Sequence, residues 1–243
     1  ISTIGGSIAL SSAGAMSYKY GATRDYVLSL KIVTANGELL TLGTNTLKNA
    51  TGYQLQQLII GSEGTLGIIV EATLKLIPKP QSKNSILAYF STIEDTIDAV
   101  NKITKSSIKP AAIDFLDNNT LITIEEYTRF GFNTLYKYAL LIDIDGDLSL
   151  INEYTDAIKS ILKASRIKDL YIPKNHLEYE KLWDARRSSY AATTRLAPDV
   201  ISEDIIVPRD KLTNIINYCV NISNKYLSSL LTINPASAFL IIE

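Results

Sequence analysis

Between residues 69 and 76 the side chains alternate. Val70, Ala72, Leu74 and Leu76 share one parity and Glu71, Thr73 and Lys75 the other, the two-residue period of a strand with one face on a core. Upstream, residues 26–34 and 38–42 form a second alternating pair around Asn36-Gly37. That dipeptide predicts a type I′ hairpin, because both of its central positions take positive φ. GYQLQQLII (52–60) reads as a helix between these strands. The style changes at PKPQSKN (78–84). Beyond it, strands at 85–90, 112–117, 136–145, 169–173 and 201–208 alternate with helices at 93–107, 118–127, 148–165, 176–195 and 209–226. The pattern predicts an α+β chain with a boundary that divides residues 1–82 from 83–243. The second part is expected to be a ferredoxin-like layer extended by extra helices.

A chain of 243 residues has room for the two modest cores this division requires. The 24 basic and 25 acidic residues nearly cancel without a long run of either sign, which argues against a nucleic-acid partner. Cys219 and His176 are the only residues of their kinds, so a disulfide framework, a CxxC redox site and a multi-histidine metal cage are excluded. No metal site is expected, and His176 reads as a surface or capping residue of the helix it opens. The composition fits a soluble protein of a reducing, cytoplasmic setting: no apolar run approaches the ~20 residues that span a bilayer, and the start lacks the charged and apolar regions of a signal peptide. Ile1 lies inside a glycine motif, which leads us to expect a fragment of a longer protein.

Before the alternating strand stands GSEGTLGI (61–68), with glycines at 61, 64 and 67. In nucleotide-binding loops the glycines follow a strand and open a helix, whereas here a helix precedes and a strand follows. Two readings of this loop stay open. It is a glycine-rich turn, or it is a stretch whose missing Cβ atoms let a flat ligand approach main-chain N–H and C=O groups.

Its neighbours carry a resemblance. TIGGSIALSSAGAM, then YGATRDYV, LKNATGYQL and GSEGTLGI run in one order, and LWDARRS and SEDIIVPRDKL follow after residue 84. The chain resembles, over residues 1 to about 225, FAD-linked oxidases of the glycolate oxidase and D-lactate dehydrogenase type, within the vanillyl-alcohol oxidase group of flavoproteins. The resemblance implies the second half of a PCMH-type FAD-binding domain followed by a cap domain. It also implies that FAD is lined by Gly5, Gly6, Ser7, Gly14, Gly21, Gly64 and Gly67, with the backbone of Ile69 at the pyrimidine edge of the flavin. Ser7, Ala15 and Gln54 stand where the family has Asn, Gly and Asp; at Ala15 the added Cβ is a concern if the backbone needs positive φ.

Other polar residues of these blocks are ambiguous. Arg24, Lys48 and Asn49 are candidates for contact with cofactor or substrate, and Asp25 more readily satisfies backbone groups. Tyr20 and Tyr53 are candidates to flank the flavin. Arg186 matches the family's arginine after the Leu-Trp pair, which implies a guanidinium clamp on a substrate carboxylate. The alternative pairs Arg186 with Glu178, Glu180 and Asp184 on an exposed helix face, and that plainer reading is preferred for Arg187. Glu203 and Asp204 orient this region or end a strand.

The implied activity is oxidation of a 2-hydroxy acid such as glycolate or D-lactate to the 2-oxo acid, by hydride transfer to flavin. Electrons then pass to a quinone, a cytochrome or an electron-transfer protein. A peripheral place at the membrane and an oligomeric state accompany it. The family's GHAGDGNxH segment and its pyrophosphate-binding first subdomain have no counterpart in these residues, so no catalytic base is assigned. A non-catalytic assembly subunit or an inactive fragment is the alternative, and an upstream FAD subdomain or partner subunit is the expected complement.

Overall fold

The computed structural model describes residues 2–196, 199–200 and 205–226, in two compact units divided between Lys79 and Pro80. The first unit contains α1 (Ile4–Ala9), α2 (Ser17–Tyr20), β1 (Val27–Val33), β2 (Leu39–Gly43), α3 (Leu55–Ile59) and β3 (Ile68–Leu74). Its antiparallel sheet has the order β2-β1-β3. The core is small: Ile8, Val27, Leu30, Ile32, Ile59 and Ile60, with Leu42, Ile69, Ala72 and Leu74 packed against it.

Two local features depart from the simple periodicities. The register of β1 on β3 steps from Lys31↔Glu71 to Ile32↔Ile69, so Val70 is an extra residue. This bulge reverses the alternation: Ile69, rather than Val70, joins Ala72 and Leu74 on the core, while Val70 and Leu76 are exposed. In the hairpin only Gly37 has positive φ, +82°, and Asn36 does not. Gly37 N–H donates to Thr34 O and Thr34 N–H to Glu38 O. The connection is therefore a type I turn closed by a left-handed glycine, the three-residue form, and not the predicted type I′ turn. Much apolar surface remains outside the core, with Ile4, Leu47, Leu58 and Ile68 all more than 60% exposed.

The second unit contains β4 (Ser82–Phe90), α4 (Ile93–Lys105), β5 (Ala112–Asp117), α5 (Asn118–Thr128), β6 (Tyr138–Gly146), α6 (Ile151–Lys163), β7 (Asp169–Tyr171), α7 (His176–Arg187), α8 (Ser189–Thr193) and α9 (Leu212–Tyr226). The sheet order β5-β6-β4-β7, antiparallel throughout, is that of a ferredoxin-like layer with α5 inserted between its second and third strands. Ile86, Ala88 and Phe90 of β4 share a face with Asn84, whose side chain donates to Thr155 of α6, so this face packs under the crossover helices. The opposite face carries Ser85 and Asp143, which meet α7. Thr92, Asp117 and Asn175 cap α4, α5 and α7 by accepting backbone N–H groups of the first turn.

The long helix predicted at 176–195 is divided at Ser188, whose hydroxyl donates to the Asp184 carbonyl at 2.8 Å. A hydroxyl that bonds back one turn competes with the helix ladder and favours a break. Of the strand predicted at 201–208, residues 201–204, with Glu203 and Asp204, lie outside the described residues, and 205–208 are not a strand.

Gln54 holds the N-cap position of α3 without a side-chain cap hydrogen bond, since its amide is one carbon longer than the residues that reach back to the first turn. Gln54→Asp is expected to supply that acceptor and to stabilise α3 by about 1 kcal/mol. Amide exchange of residues 55–59 should slow roughly fivefold. Unchanged exchange would mean that the first-turn N–H groups already have partners.

Candidate functional site

In the first unit the predicted glycine blocks converge through the main chain. Gly61 N–H donates to Ile8 O and Glu63 N–H to Ala9 O, which seats the 61–67 loop on the C-terminal end of α1, the helix that contains Gly5, Gly6 and Ser7. Ser12 links α1 to the next block: its N–H donates to Ser7 O, and its carbonyl accepts from both the N–H and the hydroxyl of Thr23. That second link joins α1 to the turn after Gly21. The Ser7 hydroxyl lies 2.9 Å from that of Ser2.

The glycines divide into two kinds. Gly21 has φ +79°, and a Cβ there would strike the Asp25 carboxylate; Gly67 has φ +156°, and its Cβ would sit 2.9 Å from the Val33 carbonyl. These two are demanded by the fold itself. A Cβ at Gly5, Gly14 or Gly64 would meet nothing within 4 Å. Gly64 combines that open space with φ +80°, which exposes its peptide groups. An open, side-chain-free stretch of backbone in the same loop as exposed Leu66 and next to exposed Ile68 fits one face of a flat ring system such as a flavin. Ile69 faces the core with its side chain while its strand forms an edge of the sheet. Ala15 does not have positive φ, so the steric concern raised by its Cβ does not arise.

Asp25 accepts the Ala22 N–H at 2.7 Å, the backbone role expected of it. Arg24 donates through Nε to the Ser11 hydroxyl at 3.0 Å. Arg24, Asn49, Gln54 and Gln56 line a cavity of about 210 Å³ within the first unit. Gln56 is buried there with an unpartnered Oε1, a polar group that the sequence alone did not single out. Asn49 turns its Oδ1 to the Thr51 N–H. Tyr20 accepts the Tyr26 hydroxyl on its carbonyl, and Tyr53 is almost wholly exposed.

In the second unit Arg186 is not on an exposed face. Its Nε donates to Asp114 Oδ2 of β5 at 2.7 Å, with both side chains about nine-tenths buried. Its Nη2 is buried without a partner, an uncompensated donor on a held guanidinium. Arg187 fulfils the plainer reading: it is half exposed and pairs with Asp184 and Glu180, whose hydrogen bonds, that of Asp184 foremost, raise its pKa. His176 is exposed, stacked on Tyr179 and 4.0 Å from Glu180, as expected of a surface residue.

Beside this pair runs a buried network. Ser85 Oγ donates to Asp143 Oδ1 at 2.6 Å, Trp183 Nε1 donates to Ser85 Oγ at 2.9 Å, and Tyr179 OH reaches Asp143 Oδ2 at 3.3 Å. Burial pushes the Asp143 carboxyl up to about 6 against the lowering effect of these hydrogen bonds. The sequence alone did not single out Asp114 and Asp143; the available signal was an aspartate inside each of the otherwise apolar strands AIDFLD and LLIDID.

A glycine-built α+β unit followed by a ferredoxin-like unit is also the architecture to which known structures point. The chain is similar to alkyldihydroxyacetonephosphate synthase, with a TM-score of 0.66 at 22% identity over 90% of this chain and 45% of that one, a likeness of fold. Residues 79–236 match the C-terminal domain of the FAD linked oxidases, and residues 1–43 match an FAD binding domain. The chain belongs to the FAD-linked oxidases, whose cofactor is FAD. It is 40% identical to the glycolate oxidase subunit GlcD of Bacillus subtilis over 97% of its own length and 50% of that protein's. The corresponding figures for the D-lactate dehydrogenase of Anaerostipes hadrus are 31%, 89% and 47%. The chain thus spans about half the length of the curated relatives it matches. Among the described residues no helix is long and apolar enough to cross a membrane.

The raised Asp143 carboxyl gives a pH signature. A folded-state value near 6, above the ordinary carboxylate range, means that the folded chain holds this proton more tightly than the unfolded chain does. Its contribution is complete below about pH 4 and is lost as the pH rises through 6. Urea unfolding should show the stability of the native chain, relative to Asp143→Asn, falling by roughly 2 to 3 kcal/mol between pH 4 and 7. Parallel profiles for the two would show that Asp143 is ionised throughout.

Proposed function

We propose that this chain supplies the flavin cradle and the substrate cap of an FAD-dependent oxidoreductase that converts a 2-hydroxy acid of the glycolate or D-lactate type to its 2-oxo acid. The observation that carries the substrate half is Arg186: one edge of its guanidinium is fixed by Asp114 while Nη2 stays buried without a partner. A carboxylate is the natural complement of such a donor, and desolvation strengthens the pairing. On the cofactor half, Gly5, Gly6, Ser7, Gly14 and the 61–67 loop would hold FAD, with Gly21 and Gly67 shaping the backbone around it. The bound flavin would supply the acceptor for the substrate's α-hydrogen and its electron pair.

The residues of this chain then have three tasks. Main-chain N–H and C=O groups along α1 and the loop fix the ring edge. The exposed apolar side chains Ile4, Leu66 and Ile68 exclude water from the ring face. Arg186 orients the hydroxy acid by its carboxylate. The apolar surface left on the first unit is proposed to be covered by a further flavin-binding segment, either in the same protein or in a partner subunit, with the electron acceptor a separate partner.

Joining the chain to the part of the Bacillus subtilis relative that it does not cover and adding FAD tests the reading. The product should hold flavin that bleaches anaerobically on addition of glycolate or D-lactate, and bound flavin indifferent to both would overturn the substrate class. In the same protein Arg186→Lys should lower kcat/KM about a hundredfold with the flavin spectrum unchanged, because a lysine offers no second edge to the carboxylate. Gly5→Ala separates cradle from fold. The new methyl meets no neighbour and favours the helix by up to about 1 kcal/mol. FAD affinity should nevertheless fall at least tenfold, and undiminished affinity would remove Gly5 from the cradle.

A further inference from the structure

A second cavity, of about 960 Å³, opens within the second unit between α7, the edge strand β7 and the loop after α5. Arg186 is not in its wall, and its volume is several times what a small hydroxy acid fills. The wall is rigidly built. Glu125 Oε2 accepts the N–H groups of both Gly131 and Phe132 at 2.8 Å. The Tyr89 hydroxyl accepts the Asn133 N–H at 3.1 Å, and the Asn118 amide donates to the carbonyls of Thr134 and Tyr136. Phe130 meets Tyr171 edge to face at 5.7 Å, giving the cavity an aromatic side.

The charges of the wall are unevenly satisfied. Its three carboxylates are engaged: Asp169 by the Asn133 amide and the Leu170 N–H, Glu178 by the Tyr171 hydroxyl and the Lys174 N–H, and Asp184 by Arg187. Its two cations, Arg129 and Lys181, form no ion pair within 4 Å among the described residues, although Lys181 lies close enough to Glu178 to favour that carboxylate's charged form. The Tyr89 hydroxyl accepts one hydrogen bond, and burial holds its proton on, with a pKa pushed up to about 12, so a donor remains. Arg129 also sits in the left-handed region, φ +52° and ψ +42°, at the position closing α5, where glycine is the unstrained residue. A large side chain in that conformation carries a backbone cost that glycine would not.

We propose that this cavity binds a planar organic anion, an aromatic ring bearing a carboxylate or phosphate, with Arg129 and Lys181 at the charged end and Phe130 and Tyr171 along the ring. Arginine and lysine together favour a compact anion, and two aromatic walls favour a flat body over an aliphatic one.

Titrating 2-naphthoate, 2-naphthyl phosphate and uncharged 2-naphthol into the full chain, followed by backbone amide spectra, tests this. The amides of Gly131, Phe132 and Ala185 should shift saturably with at least one anion below millimolar concentration, and the naphthol should bind at least tenfold more weakly. The tighter of the two anions identifies the natural charged group. Lys181→Gln should weaken binding about tenfold. Arg129→Gly should weaken it by a similar factor while raising the melting temperature, because glycine relieves the left-handed residue. Absence of saturable shifts at these amides, equal binding of the naphthol, or full affinity retained in both variants would overturn the proposal.

Discussion

Carboxylates buried on one face of the ferredoxin-like sheet are the constraint on which the second unit depends. Asp114 of β5 pairs in register with Leu141, so it projects to the same side as Asp143 and Asp145 of β6. All three are less than a tenth exposed. Moving such groups out of water costs several kcal/mol each unless charge or donors compensate. The compensation for two of them comes from one helix: α7 brings Arg186 to Asp114, Tyr179 to Asp143, and Trp183 to the Ser85 hydroxyl that also binds Asp143. An apolar face would accept α7 in many rotations and registers. This face accepts it in the one that places an indole N–H, a phenol and a guanidinium at three fixed points, and the position of Arg186 follows from that fit.

The first unit solves a different problem with different means. Its open surface is made of peptide groups, and the glycines there are of two origins. Gly21 and Gly67 have no space for a Cβ because Asp25 and the Val33 carbonyl occupy it, so they would be required whether or not a ligand were present. Gly5 and Gly14 border empty space and contribute nothing to packing that alanine would not, while Gly64 also borders empty space but is held to glycine by its φ of +80°. In a helix a glycine is unfavourable by up to about 1 kcal/mol relative to alanine, so Gly5 within α1 is a local cost that packing within the first unit does not offset.

Most elements were legible because their periodicity and caps agree. Thr92, Asp117 and Asn175 stand immediately before helical patterns and accept first-turn N–H groups. What escaped was set by single extra or competing contacts. Alternation cannot reveal that Val70 is bulged, because the bulge exists only relative to β1. Asn36-Gly37 is compatible with two hairpin turns, and the pairing of Thr34 with Glu38 selects the one with a single left-handed residue. Ser188 looks like an ordinary helical residue until its hydroxyl takes the Asp184 carbonyl. Arg186 was recognisable as a candidate, but its partner lies 72 positions away on another strand, beyond any local pattern.

The contrast between the two units bears on which departures from a family pattern they absorb. A backbone-built cradle is indifferent to side chains that point elsewhere. Ser7 keeps its hydroxyl on Ser2, Ala15 has an ordinary φ, and Gln54 leaves a helix end uncapped without moving the 61–67 loop off α1. The α7 face has no such freedom. Replacing Arg186 leaves Asp114 charged and buried, and replacing Asp114 strands a guanidinium whose Nη2 already lacks a partner, so either change costs several kcal/mol through the group left behind. Substitutions can therefore accumulate in the glycine-rich unit while its main-chain surface persists, whereas α7 and the strand carrying Asp114 must change together.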